Sequence, residues 1–123
     1  MNPAELFRRD EGALSIAAGD FLFREGESGD KMYVLLEGNA EIKVGDLTVE
    51  RAGPGALVGE LALIDNSPRT ASVVAKTPCR LAQIDQRRFH FLVQQTPYFA
   101  THVMKILADR LRHMNALAAA VER

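Results

Sequence analysis

Through the first two-thirds of the chain, short apolar runs alternate with glycine-bearing polar turns. Residues 13–17 and 21–24 form two such runs, parted by Gly19-Asp20. A polar loop, Gly26-Glu27-Ser28-Gly29-Asp30, leads into a run at 32–36, and Gly38-Asn39 separates that run from 40–44. Gly45-Asp46 then turns the chain into 47–51, and two later runs occupy 71–75 and 80–84. Short runs at this spacing predict strands, and their number predicts a small antiparallel β-barrel or jelly roll over about 13–84.

The period changes in the last third. Asp85 stands where an N-cap is needed, and Phe89, Leu92 and Val93 share one face, which predicts a helix at about 85–95. Thr96-Pro97 breaks it, because the residue before a proline is pushed out of the helical region. With Pro97 in its first turn, a second helix is predicted over 97–121. Along it Leu107, Leu111, Met114, Ala118 and Val121 recur at alternating steps of four and three, a narrow stripe of the coiled-coil type. Two placements fit this stripe: packing on the chain's own strands, or parallel pairing with the same helix of a second copy. The second is favoured, because the domain behind the late stripe is small. The expected class is therefore mainly β with C-terminal helices, as a single domain over 1–123.

Composition narrows the function classes. The 123 residues carry a formal net charge of -1 with both signs interspersed, so no long-range field gathers nucleic acid or anionic lipid. Hydrophobic residues at 47% and charged residues at 25% suit a folded domain. One cysteine, Cys79, excludes an internal disulfide and a cysteine-based zinc site. The first residues lack the apolar run of a secretory signal, and no stretch approaches the roughly 20 apolar residues that span a bilayer. The expectation is a cytoplasmic protein without membrane contact. His90, His102 and His113 all fall in the helical third, so no metal site is expected.

The chemistry concentrates between the strands, in Gly59-Glu60-Leu61-Ala62-Leu63 and, after a short spacer, Pro68-Arg69-Thr70-Ala71-Ser72. A helical turn entered through Gly59 presents free N–H groups suited to an anion, above all a phosphate. Glu60 would repel that anion unless it turned aside to accept a hydroxyl proton. A ligand with a phosphate beside a hydroxyl reconciles the two. Ten residues suffice to loop out and bring Arg69 back to the same spot, where its planar fork suits two phosphate oxygens. The glycines at 29, 38, 45 and 53 read as turn formers.

These two segments, in this order and spacing, resemble the phosphate-binding cassette of the cyclic-nucleotide-binding domain family. The family includes regulatory subunits of cyclic-AMP-dependent protein kinase, cyclic-nucleotide-gated channels and bacterial catabolite activator proteins. Gly26-Glu27-Ser28-Gly29-Asp30, Met32-Tyr33-Val34 and Glu37-Gly38 also resemble the family's first strand-turn-strand block. The resemblance implies that Glu60 accepts the ribose 2′-hydroxyl and Arg69 pairs with the cyclic phosphate. It further implies an anion cradle of N–H groups from Leu61, Ala62, Thr70 and Ala71. Val49, Ala52, Leu57 and Val58 would line the sugar and base, and Arg110, Met114 and Asn115 would meet the base from the last helix. Val58 departs from the phenylalanine that many members carry before the Gly-Glu pair. Thr70 stands where many cyclic-AMP kinase sites have alanine; the cyclic-GMP-dependent kinases carry a threonine there that touches guanine. Bacterial members with serine or threonine at that place resemble cyclic AMP binders, which keeps cyclic AMP ahead of cyclic GMP.

The expected function is a cyclic nucleotide sensor, not an enzyme, that needs no cofactor and relays occupancy through its C-terminal helix. A homodimer and a downstream protein are the expected partners. Direct DNA binding is not expected, since no helix-turn-helix follows the long helix. The alternative is a family member without ligand that serves in dimerisation or protein interaction.

Overall fold

The computed structural model describes residues 2–121; residues 1, 122 and 123, part of the domain expected from the sequence, lie outside it. A short helix α1 (Pro3–Leu6) precedes β1 (Leu14–Ile16), β2 (Phe21–Phe23), β3 (Met32–Glu37), β4 (Ala40–Val44), β5 (Leu47–Ala52) and β6 (Leu57–Val58). Helix α2 (Glu60–Asp65) follows, then β7 (Ser72–Ala75), β8 (Cys79–Ile84), α3 (Gln86–Gln95) and α4 (Pro97–Val121). All strand pairs are antiparallel, in two four-stranded sheets ordered β1-β8-β3-β6 and β2-β7-β4-β5. No ladder joins the two sheets among the described residues, so of the two expected architectures the jelly roll forms and the closed barrel does not. Helix α1 and the two-residue β6 escape the sequence pattern, being too short to show a period.

The apolar runs serve two layers of core. Leu35, Ile42, Val49, Val58, Val73 and Leu81 pack between the sheets. On the far side of the β1-β8-β3-β6 sheet, Met32, Val34, Leu57 and Ile84 meet Phe99 and Val103 of α4, with Phe89, Leu92 and Val93 of α3 packed against them. Met32, Leu57, Ile84 and Phe99 are fully buried. This second layer fixes the root of α4 against the roll.

The helix ends form as their chemistry dictates. Asp85 Oδ1 accepts the N–H of Arg88 at 2.8 Å, the side-chain cap expected of it. Thr96 leaves the helical region ahead of Pro97, so α3 stops and α4 begins there.

One irregularity matters for the site. Ile42 pairs with Glu50 while Lys43 pairs with Thr48, which leaves Val49 as the extra residue of a bulge in β5. Bulges break the strict two-residue alternation and re-aim neighbouring side chains.

Candidate functional site

The 59–72 segment folds as the chemistry required. Gly59, in the left-handed region at φ 77°, N-caps α2 without any side-chain cap. Asn66 closes α2 in the same region at φ 58°, its N–H donating to the Ala62 carbonyl at 3.0 Å. The chain then returns, and Arg69 is pinned by its backbone: Gly26 N–H donates to the Arg69 carbonyl and Arg69 N–H to the Glu27 carbonyl, both at 2.8 Å. Glu60 and Arg69, ten residues apart, thereby reach the same cavity of about 490 Å³. That volume lies within the range of small-molecule sites, about 300–1,000 Å³. Phe23, Ile42, Val58 and Val73 supply much of its apolar wall.

Arg69 is only 6% exposed. Its Nη1 donates to the Gly59 carbonyl at 3.1 Å, and the guanidinium lies 4.1 Å from the centre of the Phe23 ring. Its Nε is buried without any hydrogen-bond partner, and the side chain makes no ion pair among the described residues. Burial depresses the Arg69 pKa, an effect partly offset by Tyr33 and by the acidic Asp30, Glu27 and Glu60 nearby. Arginine starts so high that the group remains a cation at neutral pH. A buried cation with an unsatisfied donor calls for an anionic acceptor. Gly29 and Gly59 make the room. A Cβ on either would overlap the Arg69 guanidinium, and Gly29 lies outside the left-handed region. Gly29 thus lets the guanidinium approach the backbone closely, beyond the turn-forming part expected of it from the sequence.

Glu60, which lines the same cavity, is 4% exposed. One of its oxygens, Oε1, accepts Arg110 Nη1 from α4; Oε2 has no partner among the described residues. Arg110 also makes a two-pronged pair with Glu50 on β5, Nε to Oε1 and Nη2 to Oε2, both at 3.0 Å, and donates to the Leu57 carbonyl. Burial alone would lower the Arg110 pKa. The hydrogen bonds and charges of Glu50 and Glu60 outweigh it and raise the net value. One turn on, His113 Nε2 lies 2.7 Å from the carbonyl oxygen of the bulged Val49.

Of the residues expected from the sequence, Gly59, Glu60, Leu61, Ala62, Arg69, Thr70, Ala71, Val49, Val58, Arg110 and Met114 line the cavity. Three do not. Ala52 is buried in the layer between the sheets. Leu57 faces the second layer and a neighbouring groove. Asn115 lies on the exposed side of α4. Phe23, Glu50 and His113 were missed. Phe23 sits in an unremarkable apolar run, and no local pattern separates Glu50 or His113 from surface residues.

Comparison with known proteins agrees with this geometry. The sequence profile of the cyclic nucleotide-binding domain matches residues 13–96. A CRP-like cAMP-activated global transcriptional regulator of Mycobacterium tuberculosis is 31% identical over 106 residues, covering 79% of this chain and 46% of that protein. The cAMP-bound structure of PfPKA-R superposes with a TM-score of 0.77 at 27% identity, over 86% of this chain and 36% of that one. A structure from work on a cyclic-GMP-dependent signalling pathway in bacterial phytopathogenesis gives 0.75 at 31% identity, over 90% of this chain and 94% of that one. The chain belongs to the cyclic nucleotide-binding domain family. It spans less than half the length of the curated relatives it matches. No helix among the described residues is long and apolar enough to cross a membrane.

Proposed function

We propose that this domain is a cyclic nucleotide receptor, with cyclic AMP ahead of cyclic GMP, and that it acts by binding and not by catalysis. Arg69 takes the cyclic phosphate and Glu60 the ribose 2′-hydroxyl through its free Oε2. N–H groups of Leu61, Ala62, Thr70 and Ala71 complete the cradle, and the base lies toward α4 near Arg110 and Met114. The observation that carries this reading is the buried Arg69 guanidinium, with an unsatisfied Nε, in a mainly apolar cavity that an equally buried Glu60 also lines.

Occupancy is relayed through α4, since Arg110 of that helix already holds the carboxylate that meets the ligand. A ligand shifts a helix only through contacts that differ between its two positions, and such couplings are typically about 1–3 kcal/mol. The exposed late stripe of α4 suits pairing with a second copy, and a changed pairing is the output a downstream protein would read.

Titration calorimetry against cyclic AMP and cyclic GMP, on protein unfolded and refolded to strip carried-over nucleotide, tests the reading. Saturable binding of at least one nucleotide is expected, together with a severe loss in Arg69→Ala. Leaving a buried charge without its partner costs about 3–5 kcal/mol, or roughly two to four decades in affinity. No heat with either nucleotide from a folded sample, or unchanged binding in Arg69→Ala, sinks the reading.

A further inference from the structure

Arg110 is held by two carboxylates from different parts of the fold; both line the ligand cavity, but only Glu60 keeps an oxygen free for a ligand. Glu60 offers Oε1 to Arg110 and keeps Oε2 free. Glu50 is committed to Arg110 through both oxygens, in the fork-to-fork geometry that fixes a guanidinium in plane as well as in place. Its position follows from the β5 bulge: the extra residue Val49 breaks the alternation, turns its own carbonyl to His113, and Glu50 meets Arg110 of the same helix. These two contacts form a wall shared by the cavity and the groove beside it, since Val49, Glu50, Arg110 and His113 line both. The Glu50 side chain is 29% exposed and that of Glu60 only 6%. Glu50 therefore lies toward the solvent side of Arg110 and Glu60 toward the protein.

We infer that Glu50 is a positioning residue for nucleotide recognition: by orienting Arg110 it orients Glu60 toward the ribose hydroxyl, and it fastens α4 over the cavity. The connection runs Glu50 to Arg110 to Glu60 to ligand. Glu50 itself touches no ligand. Without it, Arg110 keeps one carboxylate and the Leu57 carbonyl but loses the fork that fixes its plane, and Glu60 Oε2 loses its aim.

This inference rests on the ribose role proposed for Glu60, and Glu50→Gln tests it with a readout that general weakening would not reproduce. Calorimetry is run with cyclic AMP and with its 2′-deoxy analogue, which lacks the hydroxyl. The variant is expected to bind cyclic AMP about tenfold more weakly, within the usual range for coupled sites, while its affinity for the 2′-deoxy analogue stays near that of the wild type. Equal losses against both ligands, or no loss against cyclic AMP, overturn the inference. Hydrogen exchange on the ligand-free proteins supplies an arm independent of nucleotide binding. Amides of α4 around Arg110 are expected to exchange several-fold faster in Glu50→Gln than in the wild type, whereas α3 amides are unchanged. Unchanged α4 exchange overturns the fastening. Wild-type protein that binds no nucleotide overturns the ribose part together with the proposed function, and leaves the fastening to be decided by exchange.

Discussion

The Arg69 guanidinium lies on bare backbone at Gly29 and Gly59 and against the face of Phe23, so its position is set by what is missing as much as by what is present. Gly29 gives the cleaner test, because it does not need the left-handed conformation that Gly59 adopts. Gly29→Ala is expected to fold and to weaken cyclic nucleotide binding by about tenfold or more, equivalent to about 1.4 kcal/mol. Calorimetry alongside a thermal melt checks this; unchanged affinity in a folded variant would show that the guanidinium position does not matter. Glu60 and Arg69 were legible in the sequence because a glycine-led turn and a returning arginine form a local pattern. The need for Gly29 was not. A glycine required for space and one required for conformation look alike until the fold brings their neighbours in.

Helix α4 shows the same limit one level up. Asp85 and the Thr96-Pro97 break mark both ends of α3 and the start of α4, and the structure places these at the expected residues. The apolar stripe is another matter. Leu107 is half-buried beside the second core layer, whereas Leu111 is 63% exposed and Val121 82% exposed. The face that meets β5 instead carries Arg110 and His113, whose partners are a carboxylate and a carbonyl. Hydrophobic periodicity cannot point to a contact made by polar groups. Nearer its root, α4 carries His102, whose pKa is lowered by burial and further by the charge of Lys105. The unfolded chain takes up a proton on this imidazole near pH 6.5, before the folded one does. Stability present above that pH is therefore expected to fall as the pH drops from about 6.5 toward the lower folded value. Denaturant midpoints measured between pH 7 and pH 5 check this, and His102→Gln is expected to flatten the part due to this group.

At the scale of the whole molecule, the strand runs and helix periods were enough to place a small antiparallel roll ahead of two helices, but not to choose between a closed barrel and two sheets. That choice depends on which edges pair, and β6, a two-residue strand just after Gly53-Pro54-Gly55, supplies one such edge. In the late half of α4, Leu111 and Val121 of the apolar stripe are left exposed by their own chain. The pairing proposed for it predicts a dimer by size exclusion with light scattering, shifted toward monomer by Leu111→Lys. A wild-type monomer at every concentration, with and without nucleotide, sinks the pairing. The Arg110 fastening also bears on time. If a nucleotide seated beneath α4 must wait for that arginine to release two carboxylates and a carbonyl, its dwell is governed by helix lifting and not by the strength of the phosphate grip alone. Such a receptor would keep reporting a pulse after the free messenger had fallen, and β5, on the rim of the cavity, would set how long that memory lasts.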